Sequence, residues 1–313
     1  MKKNIDFVGK KKIFFSISLA IIIVGIICNF IFGTTLDIQF KGGAIVKYSY
    51  SGAVDEAELT NVLQDATEQP VTFRISQDLT NSSEKDAYII SVQFSGNDAI
   101  DTSVQDDMTK ALENNFADND FKFLESSSVE ATMGFKFLLK CIAAVVIACV
   151  LMVLYVTVRF KKISGLSAGV TALIALFHDI AMIYFMYVIF RMPIDSNFIA
   201  VVLMILGYSL NDTIVIYDRV REERKILGPK VSAGEVFNTS ATKMFKRTIM
   251  TSVTTLIAIV TVYIVAVVFN IDSVKSFALP MIIGVVSGCY SSICIAGPLW
   301  VMWQNKKHPV AAE

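Results

Sequence analysis

Two acidic pairs and one arginine carry the chemistry open to this sequence: Asn211-Asp212, His178-Asp179 and Arg247. Both acids lie in long apolar runs, where an Asp at the centre of a membrane helix costs about 2.5–3.5 kcal/mol to insert. A carboxyl kept at that cost is suited to two tasks, binding and releasing a proton or pairing with a buried cation. Asp212 precedes Arg219 by seven residues, about 10 Å along a helix. Arg247 enters the following apolar run from the same side, and its side chain is long enough to climb toward the same depth. Burial disfavours the carboxylate and a guanidinium stabilises it. An acid whose access to Arg247 changes with conformation can therefore take up and release a proton. The alternative is a static Asp212–Arg247 pair that only joins two helices.

Adjacent residues on a helix point about 100° apart, so neither His178-Asp179 nor Asn211-Asp212 is expected to aim both members at one point. His178-Asp179 is thus not expected to be a catalytic dyad. His178 is left either as a neutral interior residue bonded to a backbone carbonyl or as a proton relay.

The elements that must position these groups are membrane spans. The chain of 313 residues is 54% hydrophobic, with a mean hydropathy of +0.58, more apolar surface than a water-soluble domain can hide. Apolar runs occur at about 13–33, 135–158, 165–190, 196–217, 248–269 and 276–303, each near the roughly 20 residues a crossing needs. Lys2, Lys3 and Lys10 to Lys12 precede the first run; Arg159, Lys161 and Lys162 follow the second. Eight Lys and Arg lie between Arg219 and Arg247, and Lys306 and Lys307 follow the sixth run. Basic residues in short loops stay on the cytoplasmic side, so both termini are expected there. The predicted organisation is a cytoplasmic N-terminus and first span (1–33), an outer domain (34–133), five further spans (134–303) with a cytoplasmic loop over 218–247, and a cytoplasmic tail (304–313). The first run is longer than a signal-peptide core and FGTTLD offers no small-residue cleavage site, so it reads as a retained anchor. All five cysteines, Cys28, Cys141, Cys149, Cys289 and Cys294, fall in the predicted spans, which implies neither a disulfide framework nor a metal site.

The interval 34–133 holds 18 Asp and Glu against 6 Lys and Arg and contains neither His nor Cys, so a catalytic outer domain is not expected. FKGGAIVKYSY (40–50) alternates as a strand; AVDEAELTNVLQDAT reads as a helix with Val54, Ala57 and Leu59 to Val62 on its apolar side; VTFRISQ is a second strand. AYIISVQF (87–94), a helix over 98–116 marked by Ile100, Val104, Met108, Leu112 and Phe116, and FKFLESSSVEAT repeat the unit. The βαββαβ order predicts an antiparallel, ferredoxin-like sheet with both helices on one face.

Within the spans, Thr248, Thr251 and Thr255, with Ser252 beside them, line one helix face with hydroxyls able to join helices or border a wet cleft. Gly284, Gly288, Ser292 and Ala296, and the shorter series Ser164, Ala168 and Ala172, form small-residue ridges for close helix packing. Pro280 is expected to bend the sixth span near its outer end. Between spans four and five, Ser232 stands three residues before Glu235, a capping-box spacing. Val236, Phe237, Ala241, Met244 and Phe245 follow at helical intervals, as in an amphipathic helix lying along the inner membrane surface; a cytosolic helix packed on its neighbours is the alternative.

GYSLNDTIVIYDRVRE (207–222), FHDI (177–180) and KRTIMTSVTTLIA (246–258) together resemble the SecF branch of the SecD/SecF family of bacterial protein-export proteins, within the RND transporter superfamily. The resemblance covers essentially the whole chain, with Gly207 and Thr213 part of its longest motif. Phe40, Gly42 and Gly43 match a Phe-x-Gly-Gly turn after the first span, although Gln39 occupies a position that is usually acidic. The resemblance implies a polytopic α-helical membrane protein, six transmembrane helices forming an RND-type half, with an α+β ferredoxin-like outer domain. It also implies a bacterial inner-membrane location, a complex with SecD and the SecYEG channel, contact with a translocating preprotein and the lipid bilayer, and no cofactor, metal or nucleic-acid partner. Proton movement then drives outer-domain motion that helps pull the preprotein outward. The family's proton-path positions fall on Asp212 and Arg247, with Asn211, Asp179 and His178 in the neighbouring motifs. Two other readings compete, a purely structural assembly subunit and a small-molecule efflux component, the latter weakened by the single compact outer domain. A membrane enzyme ranks last, because His178 and His308 are the only two histidines.

Overall fold

The computed structural model describes residues 5–67, 71–77, 87–94, 102–228, 230–269 and 271–307; Lys2, Lys3, Ile100 and His308 lie outside them. In chain order, α1 (Lys11–Phe32) is followed by a one-turn helix α2 (Ile38–Lys41) and by β1 (Gly43–Ser51). Then come α3 (Glu56–Thr67), β2 (Val71–Gln77), β3 (Ala87–Phe94), α4 (Thr102–Asn115) and β4 (Lys122–Val129). The rest is helical: α5 (Ala131–Arg159), α6 (Gly165–Ile189), α7 (Ser196–Leu227), α8 (Ala233–Val268) and α9 (Asp272–Ser291). A π-helical turn over Ser292–Ala296 leads from α9 into α10 (Gly297–Lys307). Among the described residues six helices are long and apolar enough to cross a membrane, with α9 and α10 counted as one.

The four strands form one sheet of order β2-β3-β1-β4 with every neighbouring pair antiparallel, which is the ferredoxin-like arrangement the sequence pattern predicts. Alternation decides which face is buried. Ala44, Val46, Tyr48 and Tyr50 of β1 point inward, beside Ile90, Val92 and Phe94 of β3, under Leu59 and Leu63 of α3 and Met108 and Leu112 of α4. Two details depart from the expectation. Ala57 is exposed, and β1 starts at Gly43 because Phe40 belongs to α2.

That short helix is the seat of the outer domain. The Asp37 carboxylate caps it by accepting the Gln39 N–H at 3.0 Å. Backbone bonds from Asp37 N to Ile194 O (3.0 Å) and from Ile194 N to Thr35 O (2.9 Å) tie it to the α6–α7 connection. Phe40 is buried, its ring 5.6 Å from that of Phe137 at the start of α5. Gly42 and Gly43 then turn the chain at φ 82° and 136°, a region closed to most side chains. A Cβ on Gly43 would also stand 2.2 Å from the Phe94 carbonyl oxygen. The Phe-x-Gly-Gly stretch thus does steric work where the sheet domain joins the bundle.

In the bundle α6, α7 and α9 are the inner helices, and α1, α5 and α8 present apolar side chains outward, among them Ile31, Leu151 and Ile257. Small residues let α9 approach α7: a Cβ on Gly288 would stand 2.9 Å from that of Ser209, and one on Gly284 would strike Ile205. Pro280 lies inside α9. The segment expected to lie along the membrane surface does not form a separate helix. It is the first part of α8, which runs unbroken from Ala233 into the fifth span. Its apolar residues Val236, Phe237 and Ala241 are buried in one cluster with Phe7, Trp300 and Val301, so the bundle covers the face that lipid would otherwise cover. The cap is present, with Ser232 Oγ accepting the Glu235 N–H at 3.2 Å.

Candidate functional site

Asp179 lies fully buried where α6, α7 and α9 meet. Its Oδ2 accepts hydroxyl hydrogen bonds from Ser209 of α7 and Ser291 of α9, both at 2.7 Å, and its Oδ1 accepts one from Ser287 of α9 at 2.6 Å. His178 Nδ1 stands 3.2 Å from the same Oδ1 and 3.5 Å from Ser287 Oγ. The expectation that His178 and Asp179 cannot converge is therefore wrong. Their Cα–Cβ bonds diverge, but the side chains fold back toward Ser287, which stands within reach of both. Nor does His178 bond a backbone carbonyl at Nδ1, and its Nε2 is buried without a partner. Serine on a helix is cheap to bury when its hydroxyl finds an acceptor. Ser287 and Ser291, spaced i, i+4 on one face, supply two of the three donors. They sit beside the recognised ridge of Gly288 and Ser292, and that i, i+4 serine spacing opposite an intramembrane acid was the available signal for the cage.

One turn further along α7 the environment changes. Asp212 is 4% exposed, yet its Oδ2 has no hydrogen-bond partner. Arg247 is the positive charge that acts on it electrostatically, but no Asp212–Arg247 salt bridge within 4.0 Å forms among the described residues. The static pair is not what this conformation contains. On the facing side of α8, Ser252 Oγ accepts a hydrogen bond from Tyr208 Oη of α7 at 3.4 Å. Thr213 donates to Ser292 Oγ at 2.9 Å, and Ser292 donates to the Ser209 carbonyl at 3.1 Å. These bonds fix α7 against the π turn that starts at Ser292, a local widening of helix often found at functional sites.

The remaining motif residues face elsewhere. Gly207 and Asn211, one turn apart on α7, are exposed, as are Arg247 and Thr251 on α8. Thr251 and Thr255 donate to carbonyls of their own helix, Arg247 O and Thr251 O, both at 3.0 Å, whereas Thr248 and Ser252 turn inward and are buried. The hydroxyl face of the fifth span is thus divided between the bundle interior and its outside. No cluster of three or more His, Cys, Asp or Glu able to hold a metal occurs among the described residues.

A six-helix bundle with buried acids at its centre and a ferredoxin-like domain inserted after the first helix defines a polytopic α-helical membrane protein. Within that class the chain belongs to the SecD/SecF family of protein-export membrane proteins, whose C-terminal region model matches residues 107–306. It is similar to the protein translocase subunit SecF of Petrotoga mobilis, 33% identical over 302 residues and covering 95% of each chain. It is also similar to the protein translocase subunit SecDF of Bacillus subtilis, 31% identical over 305 residues, covering 96% of this chain and 38% of that one. The crystal structure of SecDF, a translocon-associated membrane protein from Thermus, superposes with a TM-score of 0.77 at 26% identity, covering 97% of this chain and 39% of that chain. This chain therefore spans well under half the length of the SecDF proteins it matches.

Proposed function

We propose that this protein is an accessory subunit of protein export that couples proton movement across a bacterial cytoplasmic membrane to late steps of preprotein translocation. In this reading Asp212 binds and releases the proton and Arg247 is the charge whose distance from it changes. The observation that carries the proposal is the state of Asp212: buried, with one carboxylate oxygen unpartnered and a guanidinium in electrostatic range but not in contact. Such a group gains by protonation or by the approach of Arg247, and alternation between the two is a coupling step. One charge crossing 100 mV yields about 2.3 kcal/mol, comparable with the differences that switch two-state proteins.

A SecD-like chain and the SecYEG channel are the proposed partners. Asn211 and Thr251 are polar residues on exposed faces of spans, where lipid is a poor neighbour and a second six-helix half is a good one. Basic residues at the loops of one end support a reading with both termini in the cytoplasm and the acidic domain outside. The test is Asp212→Asn in membrane vesicles containing the assembled complex. The expected result is normal assembly with loss of gradient-dependent stimulation of export; full stimulation would leave the chain as a structural subunit.

A further inference from the structure

At the basic end of the bundle the α5–α6 connection, the end of α7, the start of α8 and α10 enclose a concave pocket of about 350 Å³. Three cations line it, Lys162, Arg224 and Lys230, and none of its lining residues is acidic. The acids at the end of α7 are engaged elsewhere, and Glu235, in the first turn of α8, forms no salt bridge with a lining cation. Asp218 pairs with Arg159 and Arg221, Glu222 pairs with Arg219, and Glu223 pairs with both Arg219 and Lys243. Among the described residues no carboxylate forms a salt bridge with Lys162, Arg224 or Lys230. Three like charges around one concavity repel each other unless an anion enters.

The walls are built rather than loose. Trp300 Nε1 donates to the Ile163 carbonyl at 3.2 Å, and Gln304 Nε2 donates to Ser167 Oγ at 2.8 Å. Arg224 is held by a bond from Nη1 to the Val231 carbonyl, so its side chain spans from α7 to the start of α8. The first turn of the 36-residue helix α8 borders the space at Ser232 and Ala233, adding the positive end of its dipole to the cationic field.

We propose that this pocket binds a phosphate group. A phospholipid headgroup and free phosphate share that chemistry. The position favours the first source, because basic pockets between membrane helices at their cytoplasmic ends suit anionic headgroups. Leu166 and Leu227, both exposed and close in sequence to the lining residues Ser164 and Arg224, offer apolar surface beside it.

The test uses the full chain in its complex. In one arm the complex is reconstituted in nanodiscs of phosphatidylglycerol and phosphatidylcholine, released into mild detergent, and its retained lipid counted by native mass spectrometry. In the other, delipidated complex is titrated with inorganic phosphate against chloride at equal ionic strength, following thermal unfolding. The variant is Lys162→Gln with Lys230→Gln, two exposed side chains with no structural bond to lose. Lys246→Gln, outside the pocket, is the control, and Arg224→Lys keeps the charge while changing its geometry. At about fivefold per lysine, the double variant should bind its anion about 25-fold more weakly, with the control unchanged. Loss of retained phosphatidylglycerol in the double variant identifies a headgroup site. A phosphate-induced rise in unfolding temperature, absent from the variant, identifies a free phosphate site. Equal lipid retention by wild type and variant, together with no response to phosphate, overturns the proposal.

Discussion

Asp179 and Asp212 are both buried and both lie within hydrogen-bonding reach or one helical turn of Ser209, yet they are solvated in opposite ways. Asp179 has three hydroxyl donors from two other helices and a histidine at its side; Asp212 has a carboxylate oxygen with nothing on it. A buried anion becomes tolerable when preformed dipoles replace water, and it then fixes the elements that carry those dipoles. One left short of partners is tolerable only if it can become neutral or be met by a moving charge. The first arrangement holds helices together and the second responds to a change of state. Burial alone does not separate these roles, but the donor count does.

The contrast is broken most directly at Asp179. Asp179→Ala removes the common acceptor of Ser209, Ser287 and Ser291, leaving three hydroxyls to return to carbonyls of their own helices. With hydrogen bonds between membrane helices worth about 0.6 kcal/mol on average and up to about 1.7 kcal/mol, the loss should be about 2–5 kcal/mol, read as a lowered unfolding temperature in detergent. Asp179→Asn keeps one acceptor and should lose less, while retaining most gradient-stimulated export. Asp212→Asn should cost under about 1 kcal/mol in the same assay, since it deletes no hydrogen bond. Equal destabilisation by Asp179→Ala and Asp212→Ala would erase the distinction.

A smaller effect is expected at the shared residue. Ser209→Ala removes one of the three donors to Asp179 but leaves its carbonyl, which accepts from Ser292, in place. The expected cost is about 1 kcal/mol, and thermal unfolding alongside Asp179→Ala forms a double-mutant cycle. Additivity of the two changes would mean that the Ser209 bond to Asp179 contributes nothing measurable.

The sequence made one acid more legible than the other. Composition is enough to find six spans, because a bilayer imposes length and apolarity on each. Strict alternation is enough to find the strands, because one face of the sheet is buried and the other is not. Asp212 stood out as an acid at depth with Arg247 on the next span. The cage around Asp179 did not, for two reasons. A rule about Cβ directions ignores how far His and Asp reach beyond Cβ, and the i, i+4 spacing of Ser287 and Ser291, the one signal available, also fits residues that only permit close packing. The start of α8 admits both the surface and the packed reading for a related reason: an apolar stripe at helical spacing is the same whether lipid or the bundle covers it. Only tertiary contacts, here Phe237 against Gly297 and the cluster with Trp300, decide between them.

A third carboxylate sharpens the comparison because it has donors like those of Asp179 without the burial. Asp6 precedes α1, outside the spans, and its Oδ1 accepts from the Gly9 N–H and from Asn238 Nδ2 of α8, both at 2.8 Å. The same asparagine accepts the N–H groups of Phe7 and Val8 at 3.1 Å, so the N-terminal segment is clasped to α8. The Gly9 bond first, and the Asn238 bond after it, hold the Asp6 carboxyl below its ordinary 3.8. With the folded value depressed, the clasp is at full strength above the unfolded value and weakens as pH falls below 3.8 toward the folded one. Asn238→Ala should move the Asp6 titration midpoint, followed by carboxyl carbon NMR in detergent, back toward 3.8 without reaching it, because the Gly9 bond remains. The shift should be small, since water competes for every donor at this site. If the midpoint is the same with and without Asn238, donor count at the surface does not tune a carboxyl here, and the weight placed on the donors of Asp179 rests on burial alone.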